Sequence, residues 1–184
     1  MNLQARPLGI SGCFVARLPV LQDARGGFQK LFHAPAFGDL VPELSLQEAY
    51  LTTSQKNVLR GMHFQLPPHD HAKVVVCLTG AVTDVILDLR SGDGFGAVES
   101  VALAPDGDNC VILPKGVAHG FCAHADNSGL LYLVETVHAP EHDAGIAWDG
   151  FGFDWPVRDP ILSDRDLGHP SLAEFVAPAS WCNP

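Results

Sequence analysis

Three histidines and a lysine lie close together in one stretch of the chain, VLRGMHFQLPPHDHAKVVVCLTGAV, residues 58–82. His63 is inside an apolar segment, whereas His69, His71 and Lys73 come just before the next apolar run. An imidazole has a pKa of about 6.5, so near neutral pH it can bind a metal or transfer a proton. The same residues also occur on surface turns. This stretch therefore has three interpretations: a metal site, a proton-transfer set or a polar turn.

A further histidine belongs to the segment ILPKGVAHGF, where residues 114–119 have the spacing PxGxxH. This spacing resembles the second cupin motif, in which the histidine points into a jelly-roll barrel. Metal-binding cupins also carry an HxH motif followed by a glutamate, and the HxH sequence here is residues 69–71. Two prolines precede it and Lys73 follows it, whereas a metal site needs rigid neutral imidazoles and a carboxylate. Metal-free use of His119 is therefore favoured over metal binding.

The elements that must position these residues are short β-strands. Apolar runs such as CFVARLPVL, KVVVCLTG and GLLYLVETV are separated by Gly, Pro, Asp and Asn clusters, which is typical of a β-sandwich or barrel. Two stretches, APAFGDLVPE and HPSLAEFV, favour short helices, the second with Ser171 at the N-cap and Glu174 three residues later. We therefore predict one all-β domain over residues 1–184 with a short helical tail, to which Trp181 is a candidate anchor.

One hairpin is predicted around Thr79 and Gly80, because glycine at the second central position suits a tight two-residue turn. Side chains alternate between the two faces of a strand, so one face of this hairpin carries Lys73, Asp84 and Asp88. The opposite face is entirely apolar and consists of Val74, Val76, Val85, Leu87 and Leu89. We expect the apolar face to be the core and the charged face to be solvated, with a cross-strand salt bridge.

The overall charge limits the partners of the chain. With 21 acidic and 11 basic residues its net charge is −10, which argues against nucleic-acid binding because that requires clustered positive charge. A few arginines in a cleft still suffice to bind a small phosphate-bearing ligand. The N-terminal MNLQARPLGI lacks a signal-peptide core, and no apolar run approaches the roughly 18 residues of a membrane helix.

The cysteines indicate a reducing compartment. They are five in number, show no CxxC spacing, and three of them, Cys77, Cys110 and Cys122, lie in apolar β-like runs. We interpret these three as buried free thiols and predict a cytoplasmic protein with no membrane partner.

Taken together, VLRGMHFQLPPH, Lys73, DVILDLR and PKGVAHGF resemble the dTDP-4-dehydrorhamnose 3,5-epimerase family, a group of metal-free cupins. The resemblance extends to DARGGF, LLYLVETVHAPEHDAGIAWD and DWPVRDPILSDRD, and so covers about residues 20–167. It implies a homodimer of cupin-type jelly-roll subunits that needs no cofactor. It also implies inversion of the carbons next to a 4-keto group on a nucleotide-linked 6-deoxysugar.

Four residues match the catalytic positions of this family. A proton next to a ketone is removable once the enolate is stabilised, and epimerisation needs a base on one face of the sugar and an acid on the other. The resemblance makes His63 the base, oriented by Asp166 of the ILSDRD motif. It places the positive charge of Lys73 near the C4 oxygen, and it makes Tyr132 the acid on the opposite face. Each of these residues alone is more often structural, and only the joint motif favours catalysis.

Other matches concern substrate binding. Arg60 and His119 resemble contacts to the diphosphate or the sugar, and Arg25 and Phe28 resemble nucleotide contacts that reach across the dimer. Arg60 and His63 are three positions apart, an odd number, so a regular strand would send them to opposite faces. A β-bulge at Gly61 would bring both side chains to one face.

The nucleotide end departs from the family pattern. Glu48 and Tyr50 replace Gln and Asn that help to read the base, and His138 replaces a second tyrosine. Lys30 replaces a glutamate after the RGxF motif, and Leu133 replaces a lysine. The proton-transfer set is thus intact while the nucleotide site is altered, so dTDP, GDP and CDP all remain options, as do inversion at C3, at C5 or at both.

Two alternatives of different classes remain. A metal-dependent cupin enzyme would use His69, His71 and His119 as ligands. A non-catalytic sugar-nucleotide binding module would keep Arg25, Arg60 and His119 but tolerate the loss of the catalytic tyrosine.

Overall fold

The computed structural model describes residues 3–41 and 44–182, which form two antiparallel β-sheets and a small β-ribbon. The strands of the first sheet are, in spatial order, Gln4–Pro7 (β1), Phe14–Arg17 (β2), Cys110–Leu113 (β10), Lys73–Thr79 (β7), Ser128–Val134 (β12) and Glu48–Ser54 (β5). The strands of the second sheet are, in spatial order, Asp143–Gly145 (β13), Leu59–Gln65 (β6), Val117–Ala123 (β11), Val82–Asp88 (β8) and Val98–Leu103 (β9). The sequence prediction of an all-β jelly roll is thus confirmed.

The core lies between the two sheets, where the inward side chains of both are apolar. This cluster includes Val75, Cys77, Ile86, Val111, Leu113, Phe121 and Leu130, all buried. Strands rich in Val, Ile and Leu favour this arrangement, because branched side chains pack well on a pleated surface. Asn57 and Asn127 adopt positive φ at turns, a conformation that asparagine tolerates better than most residues.

The outer faces of both sheets are covered as well. Val74 and Val76 pack beneath the segment that contains the short helix α1, Ala34–Gly38. Val85 and Leu87 pack beneath the C-terminal segment, where Trp181 is 3 % exposed. The Trp181 indole donates a hydrogen bond to Asp70 at 2.7 Å, and so anchors the tail as the sequence predicted.

The predicted β7–β8 hairpin is wrong. β7 pairs with β10 and β12, whereas β8 pairs with β9 and β11, so Gly80 and Ala81 carry the chain from one sheet to the other. Lys73 and Asp84 do share a face, but it is the interior face rather than a solvated one, and both are buried. Asp88 is also buried, paired with Arg90. Since both strands are buried on both faces, their alternation does not identify the core side.

The predicted helices are present. α1 lies within APAFGDLVPE, and a 3₁₀ turn over Leu172–Glu174 begins after Ser171, whose N–H and hydroxyl donate to the Glu174 carboxylate. A further short helix, Asp164–Leu167 (α2), is capped by Ser163, whose hydroxyl accepts from the Asp166 N–H. No helix in residues 3–41 and 44–182 is long and apolar enough to cross a membrane.

The third sheet is a two-stranded ribbon, Val20–Asp23 (β3) and Gly26–Gln29 (β4). It pairs with neither main sheet. Its apolar side chains are uncovered in this chain: Leu21 is 63 % and Phe28 61 % exposed.

Candidate active site

A cavity of about 380 Å³, here called the central cavity, opens between the two sheets. It is bounded by strands β5, β7 and β12 of the first sheet and by β6 and β11 of the second. The side chains that line it are mostly polar: Glu48, Tyr50, Thr52, Arg60, His63, His71, Lys73, His119, Tyr132, Val134, Thr136, His138, Asp143 and Arg165. Seven of the residues that the sequence predicted for the site therefore meet in one cavity: Glu48, Arg60, His63, Lys73, His119, Tyr132 and His138.

His63 lines the cavity, and Asp166 lies behind it. The Nε2 atom of His63 makes a short hydrogen bond with Oδ1 of Asp166, which is 3 % exposed. The Ser163 hydroxyl donates to the other Asp166 oxygen at 2.9 Å, so the N-cap of α2 fixes the carboxylate. This contact joins β6 to α2 across 103 residues of sequence.

The ionisation of this pair follows from its surroundings. Burial lowers the pKa of His63, against the raising effect of its hydrogen bond to Asp166, so the imidazole is neutral near pH 7. Burial would raise the pKa of Asp166, but hydrogen bonds with His63 and Ser163 hold it below its ordinary value. Because an ionised carboxylate only accepts hydrogen bonds, Nε2 of His63 must donate, which leaves the basic lone pair on Nδ1.

A β-bulge brings Arg60 and His63 to the same face. In the pairing of β6 with β11, His63 lies opposite His119 and Arg60 lies opposite Phe121, so two residues of β6 face Gly120 alone. Gly61 has φ 142°, a backbone region that residues with a Cβ rarely adopt. The bulge predicted at Gly61 is confirmed.

We expect Gly61→Ala to destabilise the fold by about 1–3 kcal/mol, the usual cost of holding a non-glycine residue in a forbidden backbone region. The added methyl would also collide with the Gly120 Cα. Urea unfolding checks this prediction. Gly38→Ala is the matched control, since nothing lies within 4 Å of a Cβ there. Equal losses of stability in the two variants would contradict the role given to the bulge.

His119 and Lys73 line the cavity, and Asp84 is buried behind His119. His119 Nε2 and Asp84 Oδ2 share a hydrogen bond of 2.7 Å, and burial raises the pKa of Asp84 in spite of His119 and Lys73. The Lys73 ammonium donates to the backbone carbonyl of His63 at 3.2 Å. Burial lowers the pKa of Lys73 to about 8, partly offset by Asp143 and Asp84. A cation thus lies within the cavity at neutral pH.

Tyr132 faces His119 and is stacked on Tyr50. The two tyrosine rings lie directly opposite each other in β12 and β5, with centroids 4.7 Å apart and planes inclined by 10°. The ring of His119 meets Tyr132 edge-on at 5.8 Å. Burial, and then the nearby Tyr50 and Asp84, raise the pKa of Tyr132 well above its ordinary value. Tyr132 is therefore a phenol that keeps its proton.

Of the two histidines of the HxH sequence, only His71 reaches the central cavity. His69 stacks on His142, with ring centroids 4.5 Å apart, but His71 lines the cavity and shares a 2.6 Å hydrogen bond with Thr136. Burial and the neighbouring lysines, Lys73 and Lys115, lower the pKa of His71 to about 3. Because His69 is not among the cavity side chains, the ligand set His69, His71 and His119 does not converge.

Two further cavity residues were missed by sequence reasoning. Arg165 binds Asp143 at 2.6 Å, and both line the cavity beside the His63–Asp166 pair. The position of Arg165, immediately before Asp166 in the ILSDRD motif, was the available signal. The Glu48 carboxylate accepts a hydrogen bond from the backbone N–H of His138 at 2.7 Å. Two of the departures from the family pattern therefore contact each other.

Arg25 and Phe28 do not line the central cavity. They lie on the exposed β3–β4 ribbon, where Arg25 is paired with Asp23. Within one chain they are thus apart from the other predicted substrate contacts.

The buried cysteines offer no reactive thiolate. Cys77, Cys110 and Cys122 are buried and free, as the sequence predicted, and Cys13 is too. Burial raises the pKa of Cys13 to about 12 and that of Cys77 to about 11. The chemistry of the cavity therefore rests on imidazole, ammonium and phenol groups.

Comparison with known proteins identifies the family. The family model for dTDP-4-dehydrorhamnose 3,5-epimerase matches residues 7–174. A dTDP-4-dehydrorhamnose 3,5-epimerase of Mycolicibacterium smegmatis is 35 % identical over 178 residues, covering 95 % of this chain and 89 % of the relative. A dTDP-4-dehydrorhamnose 3-epimerase of Streptomyces niveus is 37 % identical over 176 residues, covering 94 % and 85 %.

Solved structures show the same likeness. The crystal structure of NovW, a 4-keto-6-deoxy sugar epimerase of Streptomyces spheroides, has a TM-score of 0.88 at 36 % identity, covering 95 % of this chain and 89 % of that one. The epimerase of Legionella pneumophila, solved in complex with dTDP-4-keto-L-rhamnose, has a TM-score of 0.89 at 27 % identity, with 96 % of both chains covered. The chain is therefore an isomerase that belongs to the dTDP-4-dehydrorhamnose 3,5-epimerase family.

Proposed function

We propose that this protein inverts C3, C5 or both in a dTDP-linked 4-keto-6-deoxysugar, with His63 as the base and Tyr132 as the acid. One observation carries the proposal: the His63–Asp166 pair, the Lys73 ammonium and the Tyr132 phenol converge on one cavity. Near neutral pH His63 is neutral, Lys73 is charged and Tyr132 keeps its proton, as these roles require. The metal-dependent alternative is not favoured, because its three histidines do not converge.

The reaction begins with removal of the proton next to the ketone. Nδ1 of neutral His63 accepts this proton, and the C–H electron pair moves onto the C4 oxygen to form an enolate. Asp166 then stabilises the imidazolium, because its carboxylate is ionised and already bonded to Nε2. General-base catalysis of this kind typically contributes about 10²- to 10⁴-fold to the rate.

Lys73 stabilises the enolate by its positive charge. Its ammonium is buried and bonded to the carbonyl of the base residue, so it is held in place before the reaction. In a water-excluded site such a preorganised charge is worth more than in water. Tyr132 then protonates the carbon from the other face, and the tyrosinate and the imidazolium return to their starting forms by proton exchange with solvent.

The phosphate groups are bound by Arg60 and His119 in this proposal. Arg60 is held by a hydrogen bond to Ser54 at 3.1 Å and lines the cavity, which suits a guanidinium that forks onto phosphate oxygens. Arg25 and Phe28 would come from a second copy of the chain. The exposed apolar surface of the β3–β4 ribbon supports such a homodimer, because Leu21 and Phe28 are otherwise uncovered.

The nucleotide is proposed to be dTDP because the named relatives act on dTDP-linked sugars. Three of the residues that depart from the family pattern, Glu48, Tyr50 and His138, line the cavity. The test is to incubate the protein with the dTDP-, GDP- and CDP-linked forms of 4-keto-6-deoxyglucose and to identify the products by NMR. Inversion with dTDP is expected, and inversion with only GDP or CDP would move the assignment to that nucleotide.

The activity is expected to fall as pH rises through about 8, because Lys73 then loses the charge that stabilises the enolate. Burial lowers this pKa, Asp143 and Asp84 oppose the shift, and Arg165 adds to it. Below pH 8 the ammonium is charged, and the rate is maintained down to the pKa of His63, which burial places below the ordinary imidazole value. Well above pH 8, kcat should decrease by about tenfold per pH unit.

The matched control for this pH profile is Lys73→Arg, whose guanidinium stays charged throughout this range. Its residual activity should show no alkaline decrease near pH 8. An identical decrease in Lys73→Arg would assign the titration to another group and contradict the prediction.

A further inference from the structure

His169 has no role in the proposed reaction, yet it lies against the catalytic pair. It follows α2, three residues after Asp166, and its ring meets the His63 ring edge-on with centroids 5.6 Å apart. Its Nε2 atom is 3.8 Å from Oδ1 of Asp166, the same oxygen that His63 binds. One possible ligand atom from each of His63, Asp166 and His169 lies within 4.8 Å of the other two.

The Nε2 atom of His169 is buried and has no hydrogen-bond partner among the described residues. Leaving a buried polar nitrogen unpaired costs free energy, and such groups call for an explanation. Gly145, which pairs with His63 in the β13–β6 register, provides the room for this ring, because a side chain at position 145 would collide with it. The fold thus holds His169 against the shared carboxylate oxygen.

We propose that His63, Asp166 and His169 form a binding site for a divalent transition-metal ion such as Zn²⁺, and that the bound ion inhibits the enzyme. Two imidazoles and one carboxylate are a ligand set that zinc accepts, with a fourth position left open. Zinc–ligand bonds of about 2.0–2.2 Å need ligand atoms roughly 3.3 Å apart in a tetrahedron. Since the three atoms already lie within 4.8 Å of one another, small side-chain movements suffice.

The ligand atoms of the cluster, two imidazole nitrogens and one carboxylate oxygen, favour an ion that binds imidazole strongly. Asp166 supplies one negative charge, while the charge of Arg165 is neutralised by Asp143 at 2.6 Å. Lys73 adds a positive charge nearby and directs it at the His63 carbonyl. Hard ions such as Mg²⁺ prefer several oxygen ligands, so this site selects Zn²⁺, Co²⁺ or Ni²⁺ over Mg²⁺.

Inhibition follows from the two nitrogens of His63. A metal ion on Nε2 takes the place of the proton that this atom shares with Asp166, and the proton moves to Nδ1. The ring stays neutral, but the lone pair that accepts the substrate proton is lost. Binding of the ion does not depend on the proposed function, whereas the inhibition does.

The test begins with the metal alone. Zinc is titrated into the metal-free protein by calorimetry, and Co²⁺ is followed by its visible absorption, which reports on imidazole ligands directly. We expect one ion per chain, and His169→Asn should weaken zinc binding by at least about tenfold, since even outer-shell partners of a metal ligand are worth 10- to 100-fold. Mg²⁺ should give no binding under the same conditions.

The matched control is His142→Asn, because His142 and His69 form another close histidine pair. This variant should bind zinc as tightly as the unchanged protein. The proposal is overturned if the unchanged protein binds no zinc, if His169→Asn binds it equally well, or if His142→Asn abolishes binding. An assay of epimerisation then completes the test: zinc that occupies the site without slowing turnover would contradict its placement on His63.

Discussion

Replacement of His63 by asparagine is expected to lower kcat by about 10²- to 10⁴-fold, the usual contribution of a general base. Asparagine has no lone pair basic enough to accept a proton from carbon, and its side chain is too short to replace the Nε2 contact with Asp166. Folding should be little affected, because the ring lines the cavity rather than the core between the sheets. Product formation followed by NMR measures the effect.

The control for this substitution is His142→Asn, which makes the same chemical change outside the cavity. It should turn over at the rate of the unchanged protein. A His63→Asn variant with more than a tenth of the original kcat would contradict the assignment of the base. The kcat of Asp166→Asn should lie between that of His63→Asn and that of the unchanged protein. This substitution keeps a hydrogen bond to His63 but removes the charge that stabilises the imidazolium.

Replacement of Tyr132 by phenylalanine is expected to separate proton removal from inversion. The base is on the other face of the sugar, so His63 still removes the proton and returns it, and the carbon exchanges with solvent with retention of configuration. Inversion should decrease by about 10²- to 10⁴-fold, because no acid protonates the opposite face. Deuterium content and configuration at C3 and C5, both read by NMR, measure the two processes in one sample.

Tyr50→Phe is the matched control, since the two rings stack and both substitutions remove only a hydroxyl. The ratio of inversion to exchange should keep its original value in Tyr50→Phe. If Tyr132→Phe inverts its substrate as efficiently as it exchanges, Tyr132 is not the acid.

The site was more predictable from the sequence than the path of the chain. Once the family resemblance placed both Arg60 and His63 in the site, strand parity called for an irregularity between them, and only Gly61 offered the conformational freedom for a bulge. The residues proposed for catalysis could be named because long motifs fix the identity of each position, and the structure brings His63 and Asp166 together although 103 residues separate them. Tyr132 by itself would have been indistinguishable from an aromatic residue at the edge of the core.

The pairing of the strands and the positions of the loop residues depend on contacts that local sequence patterns do not encode. A short glycine turn between two apolar strands looks the same whether it joins neighbours in one sheet or crosses between two sheets, so the β7–β8 pairing was wrong. Consequently Asp84 was expected at the surface, although it is buried and hydrogen-bonded to His119. The place of His71 in the cavity and that of His169 beside the His63–Asp166 pair were not predicted, because both residues lie in loops and loop conformation depends on packing rather than on periodicity.

The most direct test of the central claim is solvent exchange at the carbons next to the ketone. The protein is incubated with dTDP-4-keto-6-deoxyglucose in deuterated water, and deuterium at C3 and C5 is followed by NMR in the unchanged protein and in His63→Asn. We predict deuterium at one or both carbons with the unchanged protein and its loss in the variant. Deuterium that still enters at the same rate in His63→Asn, or no exchange by the unchanged protein with any of the three nucleotide-linked sugars, would contradict the account.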